Sequence, residues 1–559
     1  MYNKLFQYLR GQNKSKLKFG FTIVELIVII AIIGILAAIS LVSYNGMTQR
    51  AAVVTLQSDL DHASSQLASE MLANGIYPLT DADANNGNGL VASPKTVYTY
   101  IYGSDKKYCL AASNGDVSYY ITSDNDIPRE GTCHDIAFAS AWGGINDDNG
   151  KSLIQTSDGG YVVTGETKSY GAGAGDMFIN KYDYKGNLSW SKTWGGVNED
   201  KGTAIIQSSS GGYVITGTTA SFGSGANDVF IIKYDVSGNL LWNRTWGGSS
   251  SEFSESITQT NDNGYVITGE TTSYGSADFK FKMFVVKYDS AGNFVWNKTW
   301  GGINYDYGNT VIKSNDGGCV VSGYTNSFGE GVYDAFLAKY DINGTLVWNK
   351  TWGGTGVDMG YSVVQTNDDG YLIIGYTISF GAGSNDIFVA KYDSSGNFVW
   401  DKTWGGTSND RGYSIAQSTD GSFVITGDTF SFTTAGGYDT FLAKFDISGN
   451  FVWNSLWGGV NTDTGRQVIK TSDDGYSVVG ETNSFGAGLK EVFLVKYDNN
   501  GSMFNCASNM CHTSTANTTP ANGITNVPSA SIMTPTSGSS IPNATVTNPT
   551  GVITSIVAP

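Results

Sequence analysis

The apolar positions of the chain change period twice. From Phe21 to Val42 nearly all of the 22 residues are apolar, and Glu25 is the single charge. About 20 such residues suffice for a helix to cross a bilayer. Val53, Leu56, Leu60, Ala63, Leu67 and Met71 then follow at intervals of 3, 4, 3, 4 and 4, which predicts a helix with one apolar stripe. Gly75 and Pro78 are its stop signals, and His62 falls on its polar side. Alternation follows in VYTYIYG (97–103), YCLAAS (108–113) and VSYYITS (117–123), the pattern of a small antiparallel sheet.

A longer period governs the rest. The tripeptide WGG recurs with Trp142, Trp194, Trp246, Trp300, Trp352, Trp404 and Trp457, at spacings of 52, 52, 54, 52, 52 and 53. Each unit holds four strand-like stretches, in the fifth YSVVQT, GYLIIGYT, DIFVAKYD and NFVWDKTW, broken by NDDG, FGAGSN and DSSGN. Four strands per unit, repeated, predict the blades of a β-propeller. Seven stretches supply first to third strands. Six fourth strands carry W-x-x-x-W, and a seventh copy, DIAFASAW at 135–142, has Phe138 for the first Trp. It stands ahead of every blade, so it is expected to complete the last one and close a ring of seven. Met503–Cys506 is the rival for that slot. All 13 tryptophans lie in these strands, where a spacing of four puts both rings on one face; blade-to-blade packing is their simplest role.

The N-terminus carries a family signature. Lys4, Arg10, Lys14, Lys16 and Lys18 precede the apolar run without an acid, a basic flank that keeps the N-terminus cytoplasmic. Gly20, Phe21, Thr22 and Glu25, followed by LIVIIAIIGILAAI, resemble the class III leader of type IV pilins and type II secretion pseudopilins. The resemblance implies cleavage between Gly20 and Phe21 by a prepilin peptidase and N-methylation of Phe21. It also implies that Glu25 pairs with the Phe21 ammonium of a neighbouring subunit during filament assembly. YCLAAS and EGTC resemble the disulfide-closed end of pilin heads, which implies a Cys109–Cys133 bridge. Such a bridge closes a loop of about 25 residues, worth roughly 3 kcal/mol in the chain-entropy model. Cys506 and Cys511 form the second local pair, and Cys319 stands alone. The array from about 135 to 500 resembles the WGG repeats of secreted bacterial propeller proteins, which implies the fold and little about function.

Composition and charge narrow the chemistry. The formal net charge of -17 argues against nucleic-acid binding, which needs a basic surface. The stretch 143–500 contains no His and one Cys, which excludes triads and His-based metal sites there. No cofactor is expected. A carboxylate-based glycoside hydrolase remains open, since two acids on one face suffice. Acids do accumulate. Asp148, Asp200, Glu252, Asp306, Asp358, Asp410 and Asp463 each stand six residues after a WGG Trp. Asp176, Asp228, Lys282, Asp334, Asp386, Asp439 and Glu491 open the third strands. They read either as turn caps or as an acidic rim that gathers cations. Blade three breaks the pattern with SSSEFSES and SADFKFKMF, which suggests a recognition patch of Glu252, Phe253, Glu255, Phe279, Lys280 and Lys282.

From His512 to Pro559 the chain is Ser, Thr, Asn, Pro and Ala without Asp, Glu, Lys or Arg, a composition that does not bury a core. The expected fold class is therefore mixed: a long N-terminal pilin helix with a small antiparallel sheet, an all-β seven-bladed propeller, then a disordered tail. The expected divisions are leader 1–20, transmembrane helix 21–75, pilin-like head 76–134, propeller 135–511 and tail 512–559. The expected function is a minor or tip pilin-like subunit that displays the propeller for extracellular adhesion, without catalysis. It would sit in the inner membrane before assembly and at the cell surface afterwards, with other pilin subunits and an extracellular glycan or protein as partners. The alternatives are a secretion pseudopilin that binds cargo and the surface-tethered hydrolase.

Overall fold

The computed structural model describes residues 23–78, 80, 82–102, 108–115, 117–123, 125–130, 138–275, 279–433, 436–486, 488–503 and 552–556, with side chains from Thr48 up to Met503 apart from a few. The chain divides into two compact units, Met1–Cys133 and His134–Pro559.

In the first unit a helix runs from Ile23 to Asn74. It ends at Gly75, whose φ of +72° suits glycine and whose N–H donates to Met71 O at 2.9 Å. Leu56, Leu60, Ala63 and Leu67, the stripe read from the sequence, bury against Leu110, Ala112 and Ile121. Those residues belong to an antiparallel sheet of Val97–Tyr102, Tyr108–Asn114, Val117–Thr122 and Asn125–Glu130 in chain order. Asp59 on the helix is buried yet satisfied, accepting from Ser93 Oγ at 2.7 Å. Cys109 is disulfide-bonded.

The second unit is the propeller. Seven blades of four antiparallel strands follow one another, each running first to fourth strand in sheet order. Blade 1 is Asp148–Gln155, Tyr161–Thr167, Asp176–Tyr182 and Leu188–Gly195. Blades 2 to 6 repeat it, and blade 7 comprises Asp463–Lys470, Tyr476–Thr482, Glu491–Tyr497 and, as its fourth strand, Phe138–Trp142. Val492 pairs with Trp142 and Lys496 with Phe138, so the strand from the start of the array closes the ring. Met503 instead packs into the blade 6–7 core. The first strands contact their successors all the way round, including the seventh with the first, and so surround the axis.

Three expectations are corrected. The fold class is not mixed and is not defined by a pilin helix. The described strands form repeated four-stranded sheets that make up most of the described chain, and the described side chains of the helix serve as cover for a small sheet. The single-pass membrane placement is also overturned: among the described residues no helix is long and apolar enough to cross a membrane. The run from 21 to 42 that suggested it lies outside the residues whose side chains are described, as do Gly20, Phe21 and Glu25. Thirdly, the tail is not wholly without structure. Val552–Ile556 pairs antiparallel with the fourth strand of blade 1, Val552 opposite Gly195, as a fifth strand. Compositional reasoning missed it because VITSI is a short β-branched run inside a polar segment.

Adjacent blades are joined by aromatic wedges. The second Trp of each fourth strand enters the next blade: Trp194 lies 4.8 Å from Phe230 and 5.1 Å from Phe222 between ring centroids. The first Trp takes the glycine of the next blade's D-x-x-G turn on its ring. Gly238 sits on Trp190, Gly292 on Trp242, Gly344 on Trp296, Gly396 on Trp348, Gly449 on Trp400 and Gly501 on Trp453. At the closing junction Gly186 sits on Phe138. Both requirements, a left-handed backbone and no Cβ, meet at Gly396. Its φ is +76°, and an added methyl would stand 2.9 Å from Trp348 Cδ2. Gly396→Ala is expected to cost about 2–4 kcal/mol, from backbone strain plus overpacking. Gly211→Ala, also at positive φ but with open space around it, is expected to cost only the strain component. Thermal unfolding of the two variants measures the difference.

Candidate functional site: the axial cavity

The repeated acids have a structural explanation. Asp148, Asp200, Glu252, Asp306, Asp358, Asp410 and Asp463 are fully buried. Asp148 accepts from Gly144 N at 2.8 Å, Ser169 Oγ at 2.7 Å and Thr167 Oγ1 at 2.5 Å. The same latch of glycine, serine and threonine recurs on Asp306, Asp358, Asp410 and Asp463, among others. Each carboxylate thus ties its WGG turn to the end of its own second strand. The acidic-rim reading is corrected on this ground: these oxygens are inside the protein and already engaged. Among the described residues no group of three or more His, Cys, Asp or Glu is placed to hold a metal.

The blade-three patch is also corrected, because its six residues do not share one surface. Glu252 is a latch carboxylate, accepting from Gly248 N at 2.6 Å. Lys282 is buried, 3.5 Å from Asp306 Oδ2, and bonds the Asn304 carbonyl. Phe279 is exposed at positive φ, and Lys280 donates to Ile303 O at 3.0 Å. Phe253 and Glu255 point elsewhere, into the axis. Of the expected cystines, Cys133, Cys506 and Cys511 lie outside the described residues, and Cys319 is a buried free thiol.

The axis holds a cavity of about 530 Å³ lined from all seven blades. Its geometry comes from one irregularity repeated seven times. Every first strand slips register against its second strand by one residue, as between Gly150 and Ser152. The bulged residues are Lys151, Thr203, Glu255, Asn309, Tyr361, Tyr413 and Arg466, and all seven line the cavity. A bulge re-aims its side chain and needs no ladder partner. Position after position the scaffold is constant between blades; here it holds two cations, a carboxylate, an amide, a hydroxyl and two phenols. The signal was present in the sequence as the variable ninth residue after each WGG Trp, and it was missed because variability was sought in whole loops.

Charge within the cavity is arranged in pairs. Arg411 forks onto Asp428, Nε to Oδ1 at 2.8 Å and Nη2 to Oδ2 at 2.9 Å. Arg466 pairs with Glu481, and Lys201 lies 3.0 Å from Glu199 and 3.7 Å from Glu166. Burial raises the Glu481 carboxyl, but Arg466 and Lys151 outweigh it and hold it below its ordinary value. Burial pushes Glu255 up to about 7 against the pull of Lys151 and Arg466. It raises Glu270 as well, with Glu255 adding to the effect. Burial lowers Lys151, as does Arg466. On the opposite arc Tyr307 stacks on Tyr324 at 4.6 Å, and Tyr361 meets Tyr376 at 5.7 Å and Tyr413 at 5.2 Å.

No protein-family profile matches the chain. A stretch of 305 residues is 24% identical to an uncharacterized WD repeat-containing protein of Acanthamoeba polyphaga mimivirus, covering 47% of this chain and 20% of that one. A stretch of 110 residues is 35% identical to the type IV major pilin protein PilE1 of Neisseria gonorrhoeae, covering 20% of this chain and 47% of the pilin. The matches thus span a fifth of one curated relative and about half of the other. Among solved structures, Sqt1 of Chaetomium thermophilum is 12% identical with a TM-score of 0.39, covering 70% of this chain and 88% of that one. The Pan2 WD40 domain of Neurospora crassa is 9% identical with a TM-score of 0.36, covering 64% and 91%. The β-propeller rests on the seven four-stranded blades themselves.

One consequence of the latches is measurable. Asp228, Asp334, Asp386 and Asp439 open third strands beside the next blade's latch acid. Burial, and with it the neighbouring acid, raises each to about 6. A carboxyl raised in the folded state binds protons there more tightly than in the unfolded chain. Its contribution is complete below the unfolded value near 4 and is lost as pH rises through about 6. Asp386→Asn keeps an oxygen for the Gly383 N–H bond at 2.8 Å and removes the repulsion from Asp410. It is expected to raise the unfolding midpoint at neutral pH and to leave it unchanged near pH 4, as read by scanning calorimetry.

Proposed function

We propose that the protein is a recognition protein whose propeller binds a glycan or protein group in the axial cavity, without turning it over. The observation that carries this reading is the contrast between blades: they agree in their latches, wedges and turns and diverge at the seven bulged positions that meet on the axis. Selection for folding alone does not require a lysine, a glutamate, two tyrosines and an arginine there. A concave site with convergent polar groups, aromatic walls and displaced pKa values is the ordinary form of a binding pocket. The pilin-like stretch supports a further part of the reading, in which the first unit serves to mount the propeller for display.

Thr203→Trp fills the cavity from blade 2 without touching a latch or a wedge. The wild-type full chain is expected to bind one class of surface glycan or peptide saturably on an array, with no product formed. The variant is expected to lose that binding by about tenfold or more while its unfolding midpoint holds. Equal binding by the variant overturns the cavity as the site, and released product points to the hydrolase instead.

A further inference from the structure

The cavity's charges divide into those that satisfy one another and those that do not. Arg411, Arg466 and Lys201 are taken by Asp428, Glu481, Glu199 and Glu166. On the blade 3 side, Glu255 and Glu270 have no hydrogen-bond or ion-pair partner among the described residues, and Glu270 Oε2 is an orphaned buried acceptor. Such an atom costs the fold about 1–3 kcal/mol when left unmade. Glu270 lies opposite Phe253 in the strand register, and Phe253 meets Phe281 edge-on at 5.8 Å. The next blade sets the stacked Tyr307 and Tyr324 beside them. Glu255 and Phe253 line the cavity, and Glu270, Tyr307 and Tyr324 stand beside them within electrostatic reach of one another.

We infer that the blade 3 side of the axial cavity is a site for an organic ammonium group, held by Glu255 and Glu270 against Phe253, Tyr307 and Tyr324. This rests on the reading of the cavity as the binding site and names the class of its ligand. Ring faces and carboxylates both attract a cation, and a desolvated cation–π contact is worth about 2 kcal/mol. A neutral sugar leaves the orphaned carboxylate without a counter-charge. An anion would be repelled by both acids, and the Arg411 fork is already occupied by Asp428. Among the described residues Lys151 is the one cation lining the cavity without an ion-pair partner. It stands across the axis on blade 1, within electrostatic reach of Glu255 together with Arg466, while Glu270 feels Glu255. A bound ammonium replaces the protons of the two carboxyls, which leave to solvent. Binding therefore strengthens as pH rises through about 7.

Calorimetric titration of the full chain with butylammonium and with tetramethylammonium chloride, at constant ionic strength, tests this. Saturable binding is expected, at least about tenfold tighter near pH 8 than near pH 6, with heats that depend on the buffer because protons are released. Glu255→Gln and Glu270→Gln are each expected to weaken it by about tenfold at the higher pH and to flatten the pH dependence. Glu330→Gln, at an exposed acid of another loop, is expected to change nothing. If Glu270→Gln fails to fold, Glu255→Gln carries the test, since its side chain projects into open space. Ammonium binding that survives both substitutions overturns the inference. So does the absence of ammonium binding in a protein that takes another ligand sensitive to Thr203→Trp, and in that case the cavity remains the recognition site. Failure of every ligand to respond to Thr203→Trp overturns the recognition reading as well.

Discussion

The propeller depends on the contact between one blade's outer tryptophan and the next blade's turn glycine. A single four-stranded blade buries neither face by itself, so its stability comes from its neighbours. The ring must then close, or the two terminal blades are left with bare faces. Closure is achieved by sending Phe138–Trp142 into blade 7, where it supplies the fourth strand. Phe138 takes the Trp position there and meets Gly186 as its tryptophan counterparts meet theirs. The covalent chain thus clasps the ring at a junction between its first and last segments.

A scaffold so strongly determined at its periphery leaves its centre free. The wedges lie at the fourth strands and the latches at the turns, while the first strands contribute mainly backbone and a bulge. Side chains of the residues after the bulge seal the ring from within: Ser152 Oγ accepts from Ile205 N at 3.1 Å, and Gln467 Oε1 accepts from Leu153 N at 2.6 Å. With backbone needs met in this way, the bulged position is free of ladder pairing and its side chain varies from blade to blade. That freedom explains how seven near-identical blades enclose a cavity with no symmetry in its chemistry.

The legible part of the fold was whatever repeats. The WGG period gave the blade number, the W-x-x-x-W count gave the closing strand, and spacing gave the stripe Leu56, Leu60, Ala63 and Leu67, because each is a local pattern that packing only has to honour. The burial of Asp148 and its equivalents was not legible. A carboxylate six residues after a Trp reads as exposed until the threonine 19 residues later is known to lie opposite it. Nor could loop drift in blade three be sorted, since Glu252 and Glu255, three residues apart, go to a turn latch and to the axis. The bulge at Glu255 decides this, and a bulge is a property of two strands together.

Lys282 shows why a departure from the repeat must be weighed by where it points. In the other blades the residue at this position is an acid, placed against the next blade's latch acid, and the two repel. In blade 3 the lysine's ammonium sits beside Asp306 and bonds the Asn304 carbonyl, so a repulsive pair has become an attractive one inside a dry junction. Both partners of the new pair are engaged within the fold. The substitution is therefore absorbed by the scaffold and needs no ligand. Glu255 and Glu270 belong to the same blade, but among the described residues neither has a hydrogen-bond or ion-pair partner, and Lys151 and Arg466 act on Glu255 only through their field. A charge that the fold leaves unpaired over an open cavity has its partner outside the chain.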